Sequence, residues 1–149
     1  MRLSLQVIYA VCGIFDLAYN GEGGPVRVRA IGERQRIPAR YLEQIFQRLR
    51  KAGLVTSKRG PGGGYTLARP PAEINLRHIV EAVEGPLDED PAGEGAEAES
   101  SPCRPDFLWD ALASRIRGVL EEVTVESMCR DASHSAVQRA GADAYHYHI

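Results

Sequence analysis

Side chains that can hydrogen-bond to nucleic-acid bases are concentrated between residues 39 and 48. Arginine binds guanine or phosphate, glutamine binds adenine, and a glutamate carboxylate accepts a hydrogen bond from cytosine. Arg40, Glu43 and Gln44 offer these three groups near the start of a predicted helix. The residues predicted to contact bases are Ala39, Arg40, Tyr41, Glu43 and Gln44. Arg48 lies further along the helix and is predicted to contact phosphates.

Two cations next to a glycine-rich loop follow this helix. Lys58 and Arg59 precede residues 60–64, four of which are glycine. Glycine adopts positive φ angles and lets a backbone approach another molecule closely. Such a loop suits contact with the minor groove or the phosphate backbone of DNA. The residues predicted to contact DNA there are Lys58, Arg59, Gly60 and Gly63, and Arg2 is a further DNA-binding candidate.

Charge is distributed unevenly along the chain, although its formal net charge is only −2. Residues 1–71 contain twelve of the 18 lysines and arginines but four of the 20 acidic residues. Neutralising DNA phosphates and releasing their counterions supplies most of the sequence-independent affinity for DNA. The basic half therefore indicates a nucleic-acid partner. Charge alone also fits the solvated surface of an ordinary domain, and it is the arrangement on a helix and a loop that favours DNA.

Hydrophobic periodicity predicts three helices in the first part of the chain. Ser4 is the predicted N-cap of the first helix, which ends at Asn20, and helices over residues 28–34 and 38–52 follow. A helix, a short turn and a second helix form a DNA-reading unit. The predicted core face of the first helix comprises Leu5, Ile8, Cys12, Phe15 and Tyr19. The third helix is predicted to bury Leu42, Ile45, Phe46 and Leu49.

A β-hairpin and a fourth helix complete the predicted N-terminal domain. Strand-like runs over residues 54–58 and 65–69 flank the glycine-rich loop. Asn75 is the predicted cap of a helix that ends at Gly85. The predicted fold is mainly α with a small β-hairpin wing, which is a winged helix-turn-helix DNA-binding domain over residues 1–85.

The C-terminal half is predicted to contain an acidic loop, two helices and a tail. Residues 86–104 carry six acidic side chains and form a predicted sensor loop. Helices over residues 105–132 follow, with Thr124 capping the second, and residues 133–149 are predicted to be a flexible tail. The first of these helices has an apolar stripe that requires a partner, such as the same helix of a second subunit. This stripe comprises Leu108, Leu112, Ile116, Val119 and Val123.

The sequence argues against a secreted, membrane-spanning or enzymatic protein. Asp16 interrupts the apolar N-terminal segment, and no small-residue cleavage site follows. The three cysteines, Cys12, Cys103 and Cys129, are too widely spaced for a disulfide framework, so a cytoplasmic location is expected. The chain has no nucleophile elbow, phosphate-binding loop, HExxH motif or paired CxxC motif. We therefore expect no enzymatic activity and no membrane partner.

The order of these parts resembles the small bacterial winged-helix regulators typified by IscR, NsrR and CymR. The stretches that carry the resemblance are MRLS, YLEQIFQRLRKAGLV, the wing RGPGGGYTLARP, IVEAVEGP and LWDALASRIRGVLEEVT. The resemblance covers about residues 1–131 and implies a homodimer joined through the long dimerisation helix after Pro105. It also implies a pseudo-palindromic operator in double-stranded DNA, read by two wings and two recognition helices.

The resemblance also bears on a cofactor. Many members of this family hold an iron-sulfur cluster with three closely spaced cysteine thiolates before the dimerisation helix. Cys103 occupies the place that resembles the last of the three, Asp106 sits where some members place a non-cysteine ligand, and Cys12 lies where a partner subunit sometimes supplies one. One thiolate and one carboxylate per chain do not satisfy an ordinary cluster. The alternatives are a cluster with atypical ligands, a redox-sensing or metal-binding thiol at Cys103, or an inert exposed cysteine there with Cys12 packed in the core.

The leading hypothesis is a homodimeric, sequence-specific DNA-binding transcription regulator that acts as a repressor and responds to redox, iron-sulfur or metabolite state. The alternative is a winged-helix protein-interaction module without a specific operator. A module of this kind would bind DNA weakly, without sequence preference and with a strong dependence on salt. Selection of oligonucleotides by the purified protein separates the two hypotheses.

Overall fold

The computed structural model describes residues 2–87, 103 and 105–141. This part of the chain confirms a mainly α fold with one small antiparallel hairpin. In chain order the elements are α1 (Leu5–Asn20), α2 (Val28–Gln35), α3 (Ala39–Lys51), β1 (Val55–Lys58), β2 (Gly64–Leu67), a 3₁₀ helix (Pro71–Glu73), α4 (Leu76–Glu84), α5 (Asp106–Glu122) and α6 (Val125–His134). Most of the predicted sensor loop, residues 88–102 and 104, lies outside the described residues, as does the predicted tail from residue 142.

All three predicted N-caps are present. Ser4 accepts a hydrogen bond from the backbone of the first turn of α1, and Asn75 and Thr124 do the same for α4 and α6. At α4 and α6 the side chains of His78 and Ser127 bond back to the cap residue, at 3.2 and 3.0 Å. Each cap satisfies backbone N–H groups that have no partner within the helix. The starts of these helices are therefore determined locally by the sequence.

α1 lies at the centre of the core, but it buries a different face from the predicted one. Its most buried apolar side chains are Val7, Ala10, Ile14 and Leu17. Of the predicted face only Tyr19 is buried, while Leu5 and Ile8 are 59% and 43% exposed and Cys12 and Phe15 are half-buried. The prediction was wrong because α1 has apolar residues on two faces, and both repeat with the helical period.

α3 is held between α1 and the hairpin. A Cβ atom at Gly13 of α1 would lie 2.8 Å from the ring of Phe46, so the two helices approach closely only because this residue is glycine. On its other side the Phe46 ring lies 4.9 Å from the ring of Tyr65, between centroids. The predicted inward residues of α3 are all buried: Leu42, Ile45, Phe46 and Leu49. Packing on both sides therefore determines how α3 presents its outer face.

The hairpin is joined to the helices by a third short segment. β1 and β2 pair in an antiparallel register that places Val55 opposite Leu67 and Lys58 opposite Gly64. Val26, just before α2, exchanges two backbone hydrogen bonds with Tyr65, at 2.9 and 2.8 Å. This bridge covers the outer edge of β2 and ties the wing to the start of α2.

The two C-terminal helices are attached to the N-terminal unit through the junction between them. The backbone N–H of Leu76 donates to the carbonyl oxygen of Val123 at 2.9 Å, and that of Val125 donates to Ile74 at 2.8 Å. Val125 is completely buried. The end of α5 is therefore fixed beside the start of α4.

The structure differs from the predicted tail boundary at residue 133. α6 continues to His134, and the segment after it returns to the end of α1. The Tyr19 hydroxyl donates to the carbonyl oxygen of Val137 at 2.9 Å, and the backbone N–H of Ala140 donates to the side chain of Asn20 at 2.7 Å. Among the helices described, none is long and apolar enough to cross a bilayer.

Candidate nucleic-acid interface

A tight turn between α2 and α3 determines the direction of α3. Arg36 adopts a left-handed backbone conformation with φ 54°, and the backbone N–H of Ile37 reaches back to the carbonyl oxygen of Gly32 at 2.9 Å. A Cβ atom at Gly32 would lie 2.6 Å from the carbonyl oxygen of Ile37. A larger residue at Gly32 would therefore force the two helices apart.

The predicted base-contacting residues differ in exposure. Arg40, Tyr41, Glu43 and Gln44 lie on the exposed side of α3, opposite its buried stripe. Ala39 is half-buried and packs against the core, so it is the least accessible of the predicted set. A single helix surface thus presents a guanidinium, a carboxylate and an amide together, and each of these groups can hydrogen-bond to base edges in a major groove.

Arg40 is held against a neighbouring ring. Its guanidinium carbon lies 4.8 Å from the centroid of the Tyr41 ring, and one of its nitrogens donates to the Tyr41 hydroxyl at 3.2 Å. The Tyr41 ring in turn lies 6.4 Å from that of Tyr9 on α1, between centroids. Stacking on an aromatic face keeps the cation on the outer surface of α3.

The tip of the wing carries its cations on an exposed turn. Lys58 and Arg59 are both exposed, as is Arg2 before α1. The backbone N–H of Gly63 donates to the carbonyl oxygen of Gly60 at 2.9 Å, which closes the loop. A Cβ atom at Gly63 would lie 2.3 Å from the carbonyl oxygen of Lys58, and one at Gly64 would lie 2.5 Å from the backbone of Val26. Glycine is therefore required at both positions by the fold of the wing itself.

Arg48 is positioned differently from the other predicted DNA contacts. Its guanidinium donates to the side-chain oxygen of Gln6 on α1 at 2.7 Å and to the carbonyl oxygen of Val83 on α4 at 3.3 Å. Both partners belong to the protein, and both lie far from Arg48 in the sequence. Spacing along α3 does not reveal them.

Asp16 is a structural residue whose role the sequence analysis did not identify. Its carboxylate is completely buried and accepts hydrogen bonds from Arg34 at 2.5 and 3.0 Å, from Gln35 at 2.9 Å and from Asn20 at 3.2 Å. Arg34, which contributes to the positive charge of the N-terminal half, is thereby bound to α1. An acidic residue within an otherwise apolar helix is the sequence signal for such a group, because a buried charge requires partners.

The apolar stripe of α5 lies on the surface of the single chain. Leu108, Leu112 and Ile116 are 39%, 40% and 45% exposed, and Val119 is 64% exposed. Val123 lies beyond the last helical residue and is half-buried. Four of the five predicted interface residues thus form an uncovered apolar surface.

The cysteines do not form a cluster site within one chain. Cys103 is exposed before α5, whereas Cys12 and Cys129 are half-buried against the core. Burial raises the pKa of both the Cys12 and Cys129 thiols, and the nearby Asp16 carboxylate raises that of Cys12 further. Thiolates are the cluster ligands, so these shifts oppose ligation.

The remaining candidate ligands do not complete a site either. Asp106 is the first residue of α5, and its side chain lies outside the described atoms. Within residues 2–87, 103 and 105–141 no three histidine, cysteine, aspartate or glutamate side chains come together as metal ligands. The described residues of one chain therefore do not fit an iron-sulfur cluster.

The fold and this arrangement of residues match a known family. Residues 3–131 match the Rrf2 family, whose description is iron-dependent transcriptional regulator. The HTH-type transcriptional regulator IscR of Photobacterium profundum is 42% identical over 132 residues, covering 88% of this chain and 77% of that protein.

Solved structures show the same relationship. IscR of T. potens superposes with a TM-score of 0.73 at 36% identity, covering 99% of this chain and 97% of that one. CymR, the global cysteine regulator of B. subtilis, superposes with a TM-score of 0.70 at 32% identity, covering 87% and 97%. The chain therefore belongs to the Rrf2 family, and it is a DNA-binding transcription regulator with a winged helix-turn-helix fold.

Proposed function

We propose that this protein is a homodimeric repressor that binds a pseudo-palindromic operator with two copies of α3 and two wings. The observation that carries the proposal is the exposed surface formed by α3 and the wing. In that surface Arg40, Glu43 and Gln44 lie opposite a completely buried stripe. Major-groove contacts by α3 supply sequence preference, and Lys58 and Arg59 contact the minor groove or the backbone.

The dimer brings two such surfaces into one molecule. The uncovered stripe of α5 supports self-association, because leucine, isoleucine and valine side chains gain free energy when a second copy removes them from water. Two recognition helices fixed by a two-fold axis read two half-sites, so the operator has matching symmetry.

Oligonucleotide selection tests this function. We expect the purified protein to enrich one palindromic sequence and to retain that preference across several salt concentrations. Binding that is weak, indifferent to sequence and lost at moderate salt would instead support the protein-interaction module.

The wing supplies a second test with a matched control. Arg59→Ala should lower operator affinity by roughly tenfold while leaving the fold and the dimer unchanged. Arg130→Ala removes the same charge from an exposed position on α6 and should have little effect. Equal affinities for wild type and Arg59→Ala would contradict the assignment of the wing.

The proposed signal is redox or iron-sulfur state, or a sulfur or nitrogen metabolite. Two observations support it: an IscR and a cysteine regulator are among the similar proteins, and Cys103 lies exposed directly before α5. A chemical change at Cys103 would act on the start of α5 and so alter the spacing between the two recognition helices.

Absorption spectra and iron content of protein purified without oxygen test the signal. Iron and visible colour in the wild type that disappear in Cys103→Ala would support Cys103 as a ligand. Colour that survives the substitution would remove Cys103 from that role. A colourless, iron-free wild type whose operator affinity changes on mild oxidation, with no such change in Cys103→Ala, would support a thiol switch.

A further inference from the structure

Arg48 connects three helices at the base of the recognition helix. It lies in the second half of α3 and reaches Gln6 near the start of α1 and Val83 near the end of α4. The two hydrogen bonds, of 2.7 and 3.3 Å, use acceptors on different helices. A single guanidinium therefore connects α3 to both α1 and α4.

The end of α4 is a favourable place for this cation. The carbonyl oxygen of Val83 is among the last four of α4, which have no partner within the helix. A cation near a helix C-terminus also interacts favourably with the helix dipole. Next to this contact, the Ser4 hydroxyl at the start of α1 bonds to the Glu84 carboxylate at the end of α4. The hydrogen bonds of Arg48 and that of Ser4 thus connect α1, α3 and α4 at one place.

The same side chain borders the surface that faces DNA. Arg48, Gln44 and Tyr41 line a groove of about 420 Å³ between α1 and the outer side of α3. Gln44 lies one helical turn before Arg48, so the two side chains are neighbours on the helix. A change in the tilt of α3 at Arg48 would move Gln44 and Tyr41 relative to base edges.

We propose that Arg48 is a positioning residue that sets the orientation of α3 against α1 and α4, and that its effect on DNA binding comes from these contacts within the protein. The inference rests on the proposed operator binding and deepens it. Both hydrogen bonds come from the same nitrogen, Nη1, so they fix that end of the guanidinium to α1 and α4 at once. Operator preference is the property that depends on this orientation, because base contacts tolerate less displacement than phosphate contacts.

Salt dependence separates a positioning residue from a phosphate contact. The measurement compares the affinities of wild type, Arg48→Ala and Arg48→Lys for the selected operator and for a random duplex at several salt concentrations. Arg48→Ala should weaken operator binding by roughly tenfold while leaving random-duplex binding and the salt slope unchanged. Arg48→Lys keeps the charge, but its Nζ lies one bond nearer the backbone than the Nη1 that donates both hydrogen bonds, so it should recover only part of the operator affinity.

A phosphate contact gives a different result. Loss of one such contact reduces the magnitude of the salt slope by about 0.9 and weakens operator and random duplex alike. That outcome for Arg48→Ala, with Arg48→Lys restoring both affinities, would overturn the inference. A wild type with no operator preference would overturn the proposed function itself.

Gln6→Ala provides a second variant that removes no charge. It should reproduce the loss of operator preference with an unchanged salt slope and an unchanged melting temperature. The double variant with Arg48→Ala should lose no more affinity than the larger single effect, since both remove one interaction. Full operator preference in Gln6→Ala, or additive losses in the double variant, would count against a positioning role for the hydrogen bond between Arg48 and Gln6. If Arg48→Ala fails to fold, Gln6→Ala alone decides the question.

Discussion

At the scale of single residues, Asp16 determines how α1 holds α2. Its carboxylate is completely buried and accepts hydrogen bonds from Arg34, Gln35 and Asn20. Arg34 and Gln35 lie in the last turn of α2, directly before the turn into α3. These hydrogen bonds replace the water that the buried carboxylate loses on folding. Asp16 therefore joins α1 to the last turn of α2.

Removal of this carboxylate should be costly. We expect Asp16→Ala to lower the free energy of unfolding in urea by about 2 kcal/mol, because it removes the acceptor of the hydrogen bonds that join Arg34 and Gln35 to α1. Glu33→Ala is the control, since its ion pair with Arg29 joins side chains that are 67% and 85% exposed. That variant should change stability by less than about 0.5 kcal/mol. Similar values for the two variants would show that Asp16 does not hold the helices together.

His78 makes stability depend on pH. Its Nδ1 accepts a hydrogen bond from the backbone N–H of Asn75, which requires the unprotonated ring. Burial lowers the pKa of His78, and the neighbouring Arg69 lowers it further. In the unfolded chain His78 binds a proton as the pH falls through about 6.5, whereas in the folded chain it does so only at a lower pH. The contribution of this residue is complete above that pH and is lost as the pH falls.

Unfolding experiments between pH 8 and pH 5 test this prediction. The free energy of unfolding of the wild type should decrease as the pH falls below about 6.5. His78→Gln keeps a capping side chain at the same position but does not titrate, so its profile should be flatter over that interval. Identical slopes for the two proteins would remove His78 as the source.

The roles of single residues were the least predictable part of this protein. Helix caps such as Ser4 and Asn75 act on the next few residues, so the sequence alone was sufficient to find them. Asp16 and Arg48 act on partners in other helices, 18 and more residues away. Only the packing of those helices reveals their contacts, and the phosphate contact predicted for Arg48 stays a prediction.

At the scale of elements, the extents of the helices could be predicted from the sequence. The face that a helix buries could be predicted for α3 but not for α1. α3 has polar residues on one side, so its buried stripe was evident from the sequence. α1 has apolar residues on both faces, and its periodicity is satisfied by either one. The helices that pack on α1 select Ala10 and Ile14 for the core and leave Leu5 and Ile8 exposed. An outer apolar face of this kind is available to a second subunit.

The wing depends on a glycine at the start of β2. Gly64 has φ 145°, and a Cβ atom there would lie 2.5 Å from the backbone of Val26. Gly64→Ala should break the bridge between Val26 and Tyr65 and lower the free energy of unfolding by about 2 kcal/mol or more. It should also reduce operator affinity, because the wing would no longer be held beside α3.

Gly23→Ala is the matched control for this substitution. Gly23 also has a positive φ, 80°, but no atom lies within 4 Å of a Cβ built there. The Gly23→Ala variant should lose about 1 kcal/mol of its free energy of unfolding from backbone strain alone, and it should keep its operator affinity. Urea unfolding and DNA titration of both variants make the comparison. Equal losses would mean that the contact with Val26 carries no cost.

At the scale of the whole molecule, charge and assembly act together. The N-terminal half is basic and carries α3 and the wing, whereas the C-terminal half is acidic and carries α5. A molecule with this division of charge turns its basic side towards DNA as it approaches, although its net charge is −2. In the proposed dimer, pairing through α5 would bring the acidic halves together and leave both basic surfaces free.

Disruption of the α5 stripe should therefore remove both the proposed dimer and its operator binding. Ile116→Glu places a charge in the centre of the stripe, and we expect a monomer by sedimentation and a loss of operator affinity of roughly a hundredfold. Ser114→Glu adds the same charge on α5, two residues away and hence on the opposite side of the helix, and should remain dimeric. Random-duplex binding per subunit should be similar in all three proteins, because each subunit keeps its own basic surface. A dimeric Ile116→Glu with full operator affinity would show that the two subunits join through another surface, for which the exposed Leu5 and Ile8 of α1 are available.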